Sequence, residues 1–282
     1  MAQEGRNMLP EPCLVAAGAV GGPLVIFSLT PLRNAMSNAA QDQRSGFISL
    51  YRKLLGPQTL GFRQRVSLAY TGAAVSAPAA CPQWCMIGPT FHILDAWLPT
   101  PVALLGTATL ETFITFGSQT RNAQMAHNVQ TKDAVPLSNV ARSWGPGAPF
   151  YVMRNFCGMA GIRWISPYIQ ASLPKSVPSG PREVLSDMGA SMLTCVLSAP
   201  LNSCWSFIVT TPSMWGFSTP KLMQALIPFL QSQYWDQANR RLSRLAFRDL
   251  SVRCVYIASC FTMYSAIERL AITHWSRGSS SK

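Results

Sequence analysis

Charge is missing from this chain in long blocks. Residues 12–32, 66–94 and 188–220 contain no Asp, Glu, Lys or Arg; 96–120 is broken only by Glu111, 155–174 only by Arg163, and 254–267 runs uncharged up to Glu268. A helix crosses the hydrocarbon of a bilayer in about 20 residues, so each block holds one span, some with a loop attached. The pattern predicts an all-α membrane protein with six transmembrane helices. Pro, Gly and small residues recur inside the blocks, which membrane helices tolerate better than soluble ones do.

The polar positions fall into alternate connections. Windows 33–65, 121–154 and 221–253 sum to +5, +3 and +4 and hold the whole net charge of +12, while the rest of the chain balances seven bases against seven acids. If all six blocks cross, the three basic connections share one side and both termini the other. The positive-inside tendency keeps the basic side in the compartment from which charge was not translocated. No basic stripe with interleaved aromatics lies on a polar domain, so no nucleic-acid partner is expected. Residues 1–12 carry two Glu and one Arg, unlike a secretory signal or an Arg-rich transit peptide, so any targeting information is expected to be internal.

Composition agrees with the pattern. Of 282 residues 12% are charged and 48% hydrophobic, where soluble chains carry about 25% charge. This excludes intrinsic disorder, and eight Cys in this length exclude a disulfide scaffold. There are three His (His92, His127, His274) and no phosphate-binding Gly loop, nucleophile elbow or His-rich metal motif, so neither an enzyme nor a metal or cofactor is expected. The chain reads as one domain, 1–282.

A repeat appears where the odd-numbered blocks end: Thr30-Pro31-Leu32-Arg33, Ala108-Thr109-Leu110-Glu111 and Ala199-Pro200-Leu201-Asn202, each followed by a basic loop. After the first come Gly46 and Leu50-Tyr51-Arg52-Lys53-Leu54-Leu55-Gly56-Pro57; the second keeps Trp144-Gly145-Pro146, the third Arg244-Leu245. These segments resemble the mitochondrial carrier family, with repeats at 12–78, 96–174 and 184–272. The resemblance implies the carrier fold, three pseudo-symmetric two-helix repeats in the mitochondrial inner membrane, with the basic loops in the matrix and the termini in the intermembrane space. It also implies bound cardiolipin, with Arg52, Trp144 and Arg244 near the lipid sites.

Departures from the family pattern bear on function. The family's odd helices end with an acid and, three residues on, a base on the same helix face, which pair between repeats to close the cavity on the matrix side. Here the acid positions are Arg33, Glu111 and Asn202, and the base positions are Met36, Ile114 and Trp205, so an apolar plug is expected in place of a charged gate. Arg33 and Glu111 are left to make one pair, worth about 1 kcal/mol or less where water reaches it. The even helices of the family carry an aromatic-acid motif that closes the other side. Alignment from Tyr51-Arg52 puts that motif at 72–76, 165–169 and 264–268, with no acid at its second position and Glu268 where a base belongs. No ion-pair closure is expected on either side.

Counting back from those ends, the resemblance implies substrate contacts at Leu60, at Met153 or Arg154, and at Val252 or Arg253. Two arginines at cavity height would bind phosphate or carboxylate by bidentate hydrogen bonds; the alternative is that they snorkel to lipid phosphates. Arg163 lies inside a block without an evident acidic partner, and would turn into the cavity, meet a partner protein or reach a headgroup. Cys81 and Cys85 with His92 do not complete a zinc site; a disulfide in a loop is the other reading. Trp144, Trp205, Trp215, Tyr234 and Trp235 fit interfacial belts. Two functions compete: a non-transporting accessory subunit of a respiratory or ATP-synthase assembly, and a transporter of a small anionic metabolite. A third, scaffolding or inserting other membrane proteins, shares the same lost motifs.

Overall fold

The computed structural model describes residues 12–41, 46–130 and 134–279. The N-terminal reading and the positions Asp42, Arg44, Ser45, Lys132 and Asp133 lie outside the described residues. The described chain is all-α apart from a two-residue ribbon, β1 (Trp235–Asp236) with β2 (Arg241–Leu242). The helices are α1 (Pro12–Ser28), α2 (Thr30–Gln41), α3 (Phe47–Leu54), α4 (Phe62–Ala69), α5 (Ala73–Asp95), α6 (Thr100–Gln130), α7 (Ala148–Ala160), α8 (Ser166–Ser172), α9 (Ser179–Thr210), α10 (Thr219–Tyr234) and α11 (Arg244–Ser279).

Local chemistry sets the breaks. Between α1 and α2 the axis bends by 60°. Pro31 lacks an amide hydrogen and its ring crowds the preceding turn, and the Thr30 hydroxyl donates to the Ile26 carbonyl at 2.8 Å, which bends the helix further. Gly72 separates α4 from α5 at φ 79°, a left-handed conformation that only glycine adopts cheaply. A π-turn over Gly161–Ile165 joins α7 to α8; the Ser166 amide reaches back five residues to the Gly161 carbonyl. Pro167, just beyond, cannot donate to the Arg163 carbonyl and would strike it in a regular helix.

Six rods close into a ring: α1 packs on α5, α5 on α6, α6 on α7, α7 on α9, α9 on α11 and α11 on α1. Each pair is antiparallel. Gly22 meets Trp84 while Phe27 meets Tyr70; Gly106 meets Leu94 while Glu111 meets Gln83; Arg154 meets Asn202 while Ser166 meets Asp187; Ser198 meets Arg253 while Asp187 meets Arg269. The alternation brings the three basic connections to one end of the ring, here called the basic end, and the turns at 96–99 and 173–178 to the far end.

Among the described residues two helices, Ser179–Thr210 and Arg244–His274, are long and apolar enough to cross a membrane, and the bent pair Pro12–Ser28 with Thr30–Met36 makes a third if it is one span. The six-span expectation is met only to this extent. The other rods lose hydropathy to polar side chains they turn inward, such as Thr107, Thr112, Thr115, Ser118 and Gln124 on α6, all buried, or are divided, as the fourth rod is by its π-turn.

The tightest seam is α1 on α5. A Cβ on Gly18 would overlap the Trp84 carbonyl, and one on Gly22 would overlap the Trp84 ring. Trp84 then packs on Tyr264, with centroids 4.1 Å apart, and on Phe261. This cluster, with Val25, Ile26 and Tyr256, ties the first rods to the last.

Candidate functional site

Inside the ring lies a cavity of about 890 Å³ to which all six rods contribute. Its wall reaches Lys53, Leu68, Thr71 and His127 toward the basic end and Trp84, Ile87 and Phe261 toward the far end. Among its lining residues are Arg33, Arg154 and Arg253, with Glu111 as the carboxylate. Arg33 and Arg253 are 7% and 3% exposed and Glu111 is 8% exposed, so these charges have left bulk water.

Each side chain has a definite setting. Arg154, on α7, donates from Nη1 to Asn202 Oδ1 at 3.1 Å and from Nη2 to Asn155 Oδ1 at 2.9 Å. Its guanidinium lies 3.9 Å from the centre of the Tyr151 ring and 5.2 Å from that of Trp205, a cation–π stack. Asn155 is 3.5 Å from Thr112 and Tyr151 3.1 Å from Thr115, which fixes the platform to α6. Arg253, on α11, donates to Ser198 Oγ at 3.2 Å and lies 3.3 Å from Met36 Sδ. Glu111 accepts from Gln83 Nε2 at 2.7 Å. Arg33 Nη1 is buried without a hydrogen-bond partner.

The far end is held by ions. Arg163 donates to both oxygens of Glu268, at 2.8 and 3.0 Å, and its guanidinium lies 5.7 Å from the Phe91 ring centre. Arg269 pairs with Glu183 at 3.3 Å and with Asp187, which accepts from Ser166 at 2.6 Å. These contacts join the fourth, fifth and sixth rods, while α1 and α5 close by the Trp84 packing.

Several sequence expectations are corrected. Arg163 does not lack an acid: Glu268, 105 residues away, supplies it, so no outside partner is needed. One end therefore does have an ion-pair closure. The expected Arg33–Glu111 pair is not formed, because Glu111 bonds to Gln83 on the neighbouring rod. The apolar plug is absent as drawn. Met36 and Trp205 line the cavity wall, which continues beyond them to Lys53 and His127, and Ile114 is half-buried and is not part of that wall. Leu60 is not in the cavity either; it sits in the turn before α4, close to Gly56. Alignment from Tyr51 counts a continuous helix where the chain makes that turn, and for the same reason Gly72–Ser76 lies at the start of α5 instead of its far end.

Arg154 and Arg253 do come together in the cavity, and Asn202 serves as a ligand to Arg154. Of the lipid-site residues, Arg52 and Arg244 are exposed near the basic end, and Trp144 stacks on Phe113 at 5.2 Å. Cys81 and Cys85 are free thiols one turn apart within α5, not in a loop. Among the described residues no group of three or more His, Cys, Asp or Glu is placed to hold a metal. Sequence reasoning missed Gln83, Ser198 and Tyr256; only buried polar residues at helical spacing, such as Ser198 and Asn202, offered a signal. The chain matches no protein-family model and no characterised protein.

Proposed function

We propose that this chain is a membrane transporter of a small anion, built on a six-span fold of the mitochondrial-carrier type. One observation carries the reading: among the described residues, three guanidiniums and one carboxylate line the cavity. An unpaired buried cation costs several kcal/mol, and an anion of the right size removes that cost. The aromatic platform and the two Asn acceptors position Arg154 without neutralising it, as a site waiting for an anion requires. The far-end ion pairs supply one of the two closures that alternating access needs. The charge partition orients the basic end toward the compartment from which charge was not translocated; the mitochondrial inner membrane, with that end in the matrix, is what the resemblance to the carrier family implies.

Purified protein in liposomes is expected to exchange a labelled carboxylate or phosphate, with Arg154→Ala or Arg253→Ala abolishing uptake. Inert liposomes, together with a wild-type chain that migrates within a large inner-membrane complex in mild detergent, would return the reading to the accessory subunit. That second reading is favoured by the absence, among the described residues, of an ion pair joining Arg33, Met36, Glu111, Ile114, Asn202 and Trp205. Protease added to mitoplasts should spare 221–253; cleavage there from outside contradicts the assigned orientation.

A further inference from the structure

Outside the cavity, at the basic end, one hydroxyl has an unusual sequence in front of it. Ser243 is preceded by Arg240 and Arg241 at positions −3 and −2, and it is the one Ser or Thr of the 282-residue chain with a basic residue at both. Protein kinases of the basophilic class pair cations at those two positions with carboxylates in their clefts. They need the segment extended and within reach.

The fold presents it in that way. The ribbon of β1 and β2 consists of the pairs Trp235 with Leu242 and Asp236 with Arg241, too little to be stable by itself. Its turn is held by Asp236, whose carboxylate accepts from the Asn239 amide at 3.2 Å and from Asn239 Nδ2 at 2.7 Å, and Arg240 takes a left-handed φ of 49°. Arg240, Arg241 and Leu242 are exposed, and the Arg241 side chain keeps 65% of its surface in solvent although its Nε lies 3.9 Å from Asp236. Ser243 itself is half-buried. Its amide donates to the Tyr234 carbonyl at 3.0 Å and its hydroxyl to the Gln233 carbonyl, and the same oxygen caps α11 by accepting from the Ala246 amide at 3.0 Å. Local opening of the ribbon and fraying of the first turn of α11 deliver the hydroxyl without unfolding the rods.

We propose that Ser243 is a phosphorylation site for a kinase that reads paired arginines, and that the phosphate releases the end of α10 from the start of α11. Ser243 Oγ attacks the γ-phosphorus of a nucleoside triphosphate. The Oγ–P bond forms, the bond from that phosphorus to the β,γ-bridging oxygen breaks, the nucleoside diphosphate leaves and the hydroxyl proton passes to the kinase's base. The ester oxygen then has no hydrogen for the Gln233 carbonyl, and a group of charge about −2 sits against that carbonyl. The first-turn amides of α11 and the exposed Arg240, Arg241 and Arg244 attract the group instead. Gln233 transmits the change, because its side chain donates to buried Asp249 at 2.6 Å and so fastens α10 to α11. The kinase has to share the compartment that the basic end faces; the cavity's ligand does not enter this chemistry.

The test uses the purified full chain in mild detergent with Mg-ATP and the catalytic subunit of cAMP-dependent kinase as the probe. Near-stoichiometric phosphate is expected, mapped to Ser243 by peptide mass. Arg241→Ala leaves Ser243 and its cap in place and should cut the initial rate of labelling severalfold. In the phosphorylated chain, hydrogen exchange at amides 234–243 should be about tenfold faster, the loss of one hydrogen bond, with α6 unchanged. A synthetic peptide 237–248 that is labelled while the folded chain is not overturns the site, as does a peptide that is not labelled either. Label on Ser67, which has Arg65 at −2 but Gln64 at −3, in place of Ser243 overturns it too, and so does an unchanged rate in Arg241→Ala. Phosphate on Ser243 with unchanged exchange at 234–243 overturns the release of α10.

Discussion

Replacing Glu268 by Gln tests whether the far end is closed by ions. The substitution keeps the shape and one acceptor oxygen for Arg163 but removes the charge. Charge centres in a bidentate guanidinium–carboxylate pair lie about 4 Å apart, worth about 4 kcal/mol at an effective permittivity of about 20. Stranding one buried partner costs about 3–5 kcal/mol in measured cases. The Arg163 side chain keeps 21% of its surface exposed and Glu268 8%. Water therefore relieves part of the loss, and the lower figure, about 3 kcal/mol, is the expected one. For a chain of this size that lowers the unfolding midpoint by about 6–12 °C. Arg163→Gln should cost a similar amount, and the double variant less than the sum, with a coupling of about 2 kcal/mol. Thermal unfolding of the four proteins in one detergent measures that cycle. A coupling under about 0.5 kcal/mol, the size of an exposed surface pair, refutes the assignment of a buried closure.

Gly18→Val should cost about 1–3 kcal/mol by overpacking against the Trp84 backbone; an unchanged midpoint would mean that α1 does not seat on α5 as described. Met36→Lys restores a family-like base but puts an ammonium where Met36 Sδ now lies 3.3 Å from Arg253. It is expected to lower stability by at least about 1 kcal/mol in the absence of anion, and a gain in stability would be the contrary result. Cys254 Sγ donates to the Met192 carbonyl at 3.8 Å, which sets this thiol against α9 about one turn from Cys195. Mild copper-catalysed oxidation should join the two cysteines into one intramolecular disulfide, visible by peptide mapping, and cross-links from Cys195 to another rod instead would rule out this register.

How much of this was legible depends on range. Charge-free blocks mark the helices directly, because burial or lipid excludes charge over a whole span, and the basic windows give the ring its polarity. Arg154 and Arg253 follow from counting back from the helix ends, a count that α11 leaves unbroken and that the π-turn between Arg154 and 165–169 shifts by only one residue. It fails at Leu60, where the α3–α4 turn interrupts the rod. The Arg163–Glu268 pair was invisible because nothing local links two residues on different rods, and a family-like motif search asks for an acid at fixed positions, which this closure does not use. Gln83 escaped for a similar reason: an amide in an apolar stretch gives no sign of which carboxylate it will meet. Residue type alone marks Met36 and Trp205 as apolar stoppers, yet both are wall, Trp205 through the Arg154 stack.

The π-turn at Gly161–Ile165 has a consequence for helical phase. A residue advances an α-helix by about 100°, so the extra residue of a π-turn sets the two halves of the rod out of step. The α7 half is phased to present Tyr151, Arg154 and Asn155 inward, and the α8 half is phased to present Ser166 to Asp187. A continuous α-helix would satisfy one set and turn the other away. Excising a single residue from the turn would rotate α8 by about a quarter turn relative to α7 while leaving every side chain of α7 where it is, so the cavity and the far-end contacts of this rod are separable by length alone.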